Sequence, residues 1–217
     1  RGYHEKDDLG GYDPYSASKG SAEFAVQSYV KSFFNKKDNR IIIGVARAGN
    51  VVGGGDWSRD RLIPDCIKSW SKNKIVKIRS PKSTRPWQHV LEALSGYLCL
   101  AINLKKNKKL HGEAFNFGPS KSNNLKVNRV LENFKKIWIN AKWEINQKIN
   151  FEESKLLKLN CFKAKKLLKW NSVLKFNEII NLTATWYKNY YYKNINSREF
   201  SIIQIKQFYK IYQNKIK

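Results

Sequence analysis

Tyr15 and Lys19 are spaced so that they could do proton chemistry together. Four residues apart on a helix, their side chains lie one above the other on a single face. A free tyrosine, with a pKa of about 10, is a poor base at neutral pH. An ammonium close by favours the phenolate and lowers that value. The pair can therefore take a proton from a sugar or alcohol hydroxyl. Tyrosine and lysine four apart are also common on solvated helix faces, so the surrounding elements decide between the two readings.

Those elements read as pieces of an α/β fold. Residues 1–13 form a charged loop with Gly10-Gly11, closed by Asp13, which can cap a helix whose first position suits Pro14. Apolar residues recur at Ala22, Ala25, Val26, Tyr29, Val30 and Phe33, which predicts an amphipathic helix to about residue 36. The β-branched run Ile41-Ile42-Ile43-Gly44-Val45-Ala46 reads as a buried parallel strand. It opens into Arg47-Ala48-Gly49-Asn50-Val51-Val52-Gly53-Gly54-Gly55-Asp56-Trp57, a glycine-rich loop where α/β sheets bind ligands, although the spacing is not a dinucleotide fingerprint. Further along, a short helix is expected over Leu62–Trp70 and an alternating strand over Ile75–Arg79. A helix follows Arg85-Pro86-Trp87-Gln88-His89-Val90 through Ala101, and a strand covers Ala114–Phe117. Helices are expected at Lys126–Trp138, Phe162–Leu168, Glu178–Tyr190 and Ser201–Tyr212, with surface loops at 105–109 and 119–126.

Composition narrows the function classes. The 217 residues carry a formal charge of +25. Residues 1–100 hold 17 Lys/Arg and 10 Asp/Glu, net +7, and residues 101–217 hold 25 and 7, net +18. The excess is mostly lysine mixed with asparagine and isoleucine, which reads as solvated helix faces rather than a nucleic-acid groove. Cys66, Cys99 and Cys161 form neither a disulfide framework nor a metal-ligand spacing, and His4, His89 and His111 make no metal motif. No metal is expected, and a reducing cytoplasm is the simplest setting. No apolar run is long enough for a transmembrane helix. The chain opens on Arg1 and contains no Met, so we expect it to be the C-terminal part of a longer protein.

Five motifs taken in order carry a family resemblance. They are Gly10-Gly11-Tyr12-Asp13-Pro14-Tyr15-Ser16-Ala17-Ser18-Lys19-Gly20, the loop from Arg47 to Trp57, Asp60-Arg61-Leu62-Ile63-Pro64-Asp65, Arg85-Pro86-Trp87-Gln88-His89-Val90 and Phe115-Asn116-Phe117-Gly118-Pro119. With them the chain resembles the extended short-chain dehydrogenases/reductases, and within these the CDP-glucose 4,6-dehydratases, over residues 1 to about 192. The resemblance implies a Rossmann-type parallel sheet, here its C-terminal part with N-terminal strands missing, and a smaller mixed α/β substrate-binding domain. Residues 1–193 would form the C-terminal part of the epimerase/dehydratase domain and 194–217 a tail.

In that family tightly held NAD takes hydride from C4 of a nucleotide-hexose, water leaves across C5 and C6, and hydride returns to C6. By resemblance Tyr15 would deprotonate the 4-hydroxyl, and Lys19 would bind the nicotinamide ribose and lower the Tyr15 pKa. Asn50 would contact the substrate diphosphate or sugar, and Arg85 would pair with the diphosphate through its planar fork. By the same resemblance, Arg61 lies in a segment that in relatives faces the nucleotide. CDP-glucose is the implied substrate and deoxysugar supply to O-antigen lipopolysaccharide the implied role, with homologues pairing as dimers through the Tyr-bearing helix. Here Phe24, Gln27, Ser28 and Lys31 are available for such pairing.

Each residue also has a plainer role. Asn50 can satisfy a turn, Arg85 can be a loop charge, Trp87 can pack, and His89 reads as a core histidine. The glycine-rich dinucleotide turn and the acid/base pair for water elimination do not occur in residues 1–14. The chain alone is therefore expected to be inactive and poorly folded. A dTDP- or UDP-sugar dehydratase or epimerase, and a lysine-rich nucleic-acid-binding remnant without catalysis, are the other readings.

Overall fold

The first helix is fixed at its start by local chemistry. Asp13 is extended, its Oδ1 accepts from the Ser16 amide at 3.0 Å, and Pro14 supplies the first helical residue. Helix α1 then runs Pro14–Phe33. A computed structural model of the chain describes residues 1–35, 40–146, 158–193 and 195–216. These fold as two units, the first made of residues 1–48, 94–117 and 159–171 and the second of 49–93, 118–158 and 172–217.

In the first unit β1 (Val45–Ala48) pairs in parallel with β6 (Ala114–Phe117), Val45 opposite Ala114 and Ala48 opposite Phe117. Helix α3 (Val90–Lys106) lies between them in sequence, as a parallel pair requires a crossover. The core here is aromatic and aliphatic: Leu100, Leu104, Phe115, Phe117, Leu168 and Trp170 are buried together. Phe117 and Trp170 meet edge to face at 5.0 Å. The Trp170 stretch follows a π-helical turn, Ala164–Leu168, where the sequence suggested an ordinary helix over Phe162–Leu168.

Two expectations for this unit change. The ladder begins at Val45, so Ile41–Gly44 lie outside the strand; instead the Ile43 amide donates to His111 Nδ1 at 3.0 Å, and the Ile43 carbonyl accepts from Gly112. The predicted apolar stripe of α1 is not a buried face among the described residues. Val30 is buried, whereas Tyr29 and Phe33, like Phe24 on another side, are exposed. What pins α1 is closer to the backbone: Gly20 is buried so tightly against Gly10 that a Cβ would sit 3.0 Å from the Gly10 nitrogen.

The second unit holds the larger core. Helices α2 (Leu62–Trp70), α4 (Val127–Ile137), α5 (Phe176–Tyr192) and α6 (Ser197–Ile216) belong to it. Trp70, Phe134, Leu131, Ile180 and Tyr187 are among its fully or nearly fully buried residues. Its strands pair two by two. β2 (Val51–Val52) runs parallel to β5 (Gln88–His89), and β3 (Val76–Ile78) parallel to β8 (Trp143–Ile145). β4 (Thr84–Pro86) runs antiparallel to β7 (Asn124–Lys126), so the stretch 119–126, expected as loop, ends in a strand. Helix α6 extends beyond the predicted Ser201–Tyr212 at both ends and is held by Gln204 Nε2, which donates to the Leu182 carbonyl at 2.7 Å. Among the described residues no helix is long and apolar enough to cross a membrane.

Candidate functional site

Tyr15 and Lys19 project from the first turns of α1 in the first unit. Tyr15 is 69% exposed, and the Lys19 ammonium stands 5.5 Å from the centre of its ring. The helical spacing therefore brings phenol and ammonium together, as the sequence predicts. Among the described residues no carboxylate is paired with Lys19. Ser18, between them in sequence, turns its hydroxyl back to the Tyr15 carbonyl at 2.8 Å.

Asn50, Arg61 and Arg85 belong to the second unit, and all three line one cavity of about 410 Å³. The pairing of β2 with β5 explains part of this. It sets Val51 opposite Gln88, and the Asn50 carbonyl accepts from the Gln88 amide at 3.3 Å. Arg85 sits on β4 opposite Leu125 of β7, with its Nη1 donating to the Thr84 carbonyl at 3.0 Å. Arg61 caps α2 with its backbone, its carbonyl accepting from the Asp65 amide. Just before it, Asp60 takes φ = +60°, a left-handed conformation that costs energy for a residue with a side chain.

Sequence reasoning assigned no role to five charged residues of this cavity: Asp56, Asp60, Asp65, Lys77 and Arg79. A signal was present, because alternation along β3 buries Ile78 and leaves Lys77 and Arg79 on the exposed side. Burial holds the Asp65 carboxyl above its ordinary range, the Lys68 charge opposing and the Asp60 charge adding. Four cations (Arg61, Lys77, Arg79, Arg85) thus face three carboxylates (Asp56, Asp60, Asp65) around the cavity. Such a lining can take an anionic group at the arginines and hydroxyls at the carboxylates.

The neighbouring motif residues are structural. Trp87 is buried and its indole N–H donates to the Leu125 carbonyl at 3.0 Å. His89 is 1% exposed, and burial lowers its pKa to about 4, so it is a neutral core imidazole. Cys66 is fully buried, its thiol pushed up to about 12 by burial, which makes it inert. The triple glycine is a packing device. Gly53 faces Val90, where a Cβ would come within 2.6 Å of Cγ1, and Gly54 lies against Trp186.

No family model matches the chain. It is 40% identical over 191 residues to CDP-glucose 4,6-dehydratase of Salmonella typhimurium, covering 86% of this chain and 53% of that protein. The chain thus spans about half the length of that relative. Among solved structures, dTDP-glucose 4,6-dehydratase of Bacillus anthracis in complex with NAD superposes with a TM-score of 0.70 at 22% identity, over 87% of this chain and 56% of that one. UDP-glucose 4-epimerase of Thermotoga maritima, solved with UDP-glucose, also gives 0.70, at 20% identity, over 87% and 57%. The sequence match and the structural neighbours agree on the fold: the chain has the Rossmann-type α/β fold of these dehydratases and epimerases, and in sequence it is similar to about half of a CDP-glucose 4,6-dehydratase.

Proposed function

We propose that this chain supplies the substrate-binding and proton-transfer residues of a CDP-glucose 4,6-dehydratase, a hydro-lyase that converts CDP-glucose to CDP-4-keto-6-deoxyglucose in cytoplasmic deoxysugar synthesis. The observation that carries the reading is the cavity shared by Asn50, Arg61 and Arg85, the three residues that the motifs single out for a nucleotide-sugar. Arg85 and Arg61 would hold the diphosphate, and Asn50 would hydrogen-bond the diphosphate or sugar. Tyr15 would take the proton of the 4-hydroxyl, and the Lys19 charge would favour its phenolate. The residues fit NAD at its nicotinamide end: the exposed Lys19 ammonium, with no carboxylate paired to it among the described residues, can donate to ribose hydroxyls beside the Tyr15 phenol. When bound, NAD supplies the hydride acceptor and donor for the internal redox cycle. Residues 1–193 would belong to the catalytic domain, with 194–217 as a C-terminal extension whose helix α6 packs back on α5. A homodimer through α1 suits its exposed Phe24 and Lys31.

The test uses the complete reading frame that encodes this chain, loaded with NAD and offered CDP-, dTDP- and UDP-glucose. A 4-keto-6-deoxy product from CDP-glucose in preference to the others is the expected result, with Tyr15→Phe slower by about 100-fold or more. Preference for dTDP-glucose, or epimerisation without water loss, would move the assignment to another member of the family.

A further inference from the structure

Glu23 follows Lys19 at the same four-residue step by which Lys19 follows Tyr15. The three side chains therefore share one face of α1. Glu23 is the sole acid within Pro14–Phe33, and a Lys and a Glu at this spacing attract each other, though less than in the Glu-first order. The structure shows a different pairing. Arg47 holds both oxygens of Glu23, with Nε to Oε1 at 2.7 Å and Nη2 to Oε2 at 2.6 Å. The two side chains are only 16% and 17% exposed. Arg47 is itself built in: it lies on β1 opposite Asn116 of β6, and its Nη1 donates to the Glu5 carbonyl at 3.3 Å.

We propose that Arg47 is a positioning residue for Lys19: by occupying both oxygens of Glu23 it keeps that carboxylate off the ammonium and leaves the charge of Lys19 to the Tyr15 phenol. Three other carboxylates of residues 1–13 have partners. Both Asp13 oxygens accept from Ser16, Glu5 Oε1 accepts from the Asn116 amide, and Asp7 pairs with Arg1. His4 Nε2 faces Asn160 Nδ2 at 3.3 Å. Within α1, Glu23 is thus the carboxylate placed to neutralise Lys19 once Arg47 is lost.

The inference rests on the proposed roles of Tyr15 and Lys19, and the experiment separates the two. The pH profile of kcat/KM is measured for the complete, NAD-loaded protein with CDP-glucose. Arg47→Gln should move the acid limb upward by about one pH unit, equivalent to roughly tenfold lower kcat/KM on that limb. Removing the competitor as well, in Glu23→Gln/Arg47→Gln, should return the limb to its parent position, and Arg47→Lys should fall between. A limb that stays in place in Arg47→Gln, or moves equally in the double variant, overturns the inference, because lost packing alone would not be reversed by Glu23→Gln. Should Arg47→Gln not fold, Arg47→Lys with and without Glu23→Gln gives the same comparison. Parent-like turnover by Tyr15→Phe would overturn the functional reading and the inference with it; a dead Tyr15→Phe beside an unmoved limb would overturn the inference alone.

Discussion

Gly54 lies against the indole of Trp186 so closely that a Cβ on residue 54 would come within 2.0 Å of the ring carbon Cγ. Trp186 cannot easily yield: it is 8% exposed, its N–H donates to Ser201 Oγ at 2.9 Å, and it stacks on Tyr190. Gly54→Ala should therefore destabilise the chain by about 1–3 kcal/mol through overpacking. Urea unfolding checks this. In a Trp186→Leu background the same substitution should cost less than about 1 kcal/mol, because the obstructing ring is gone. Equal costs in both backgrounds would refute the packing account.

His89 gives the stability a pH dependence of known sign. Its Nδ1 accepts from the Leu91 amide at 3.3 Å, so the proton of the neutral ring is on Nε2. Burial lowers its pKa from 6.5 to about 4. The unfolded chain then binds the extra proton first, so stability falls as pH drops from about 6.5 towards 4, by an amount on the order of 3 kcal/mol. His89→Asn retains an acceptor for Leu91 and should lose that slope. Denaturation midpoints of parent and variant between pH 4 and 7 make the comparison, and parallel curves would count against a buried neutral histidine.

Elements with local signals were readable from the chain, and those set by a distant partner were not. Asp13 and Pro14 announce α1, and Leu62–Trp70 is α2 as predicted, because caps and apolar periodicity act within a few residues. Nothing in Asn124–Lys126 suggests a strand; it becomes one because Leu125 meets Arg85 in the β4 ladder. Likewise the Ile41–Ala46 run looks like strand throughout, yet its pairing starts at Val45, where Ala114 stands opposite. In the site, the motifs marked Asn50, Arg61 and Arg85, whereas Lys77 and Arg79 needed the knowledge that the exposed side of β3 lines the same cavity.

Glu92 works in the opposite direction from His89. Its Oε1 accepts from Ser172 Oγ at 2.8 Å and from the amides of Val173 and Leu174 at 2.7 and 2.8 Å, anchoring the chain just before α5. Burial still raises its pKa above the ordinary 4.5, the amide and hydroxyl donors opposing. The folded chain holds this proton longer, so the contribution of Glu92 to stability falls as pH rises through the ordinary glutamate range towards the raised value. Glu92→Gln keeps an acceptor for all three donors and does not titrate. Its stability relative to the parent should therefore increase from pH 4 to 7, and a constant difference across that range would contradict the raised value.

If Arg85 grips the diphosphate as proposed, its variants separate phosphate recognition from recognition of the rest of the ligand. Its guanidinium, whose Nη1 donates to the Thr84 carbonyl, lines the cavity with Asn50 and Arg61. A planar fork can give a diphosphate two parallel hydrogen bonds, which an ammonium cannot reproduce. Each charge-assisted bond is worth roughly 1.5–3 kcal/mol, so Arg85→Ala should weaken CDP-glucose binding by about 10- to 100-fold, and Arg85→Lys should recover only part of that. Cytidine, which has no phosphate, should bind both variants as it binds the parent. Calorimetric titration of the NAD-loaded protein with the two ligands distinguishes the outcomes. An equal loss for cytidine and CDP-glucose would mean that Arg85 supports the cavity wall instead of gripping the diphosphate.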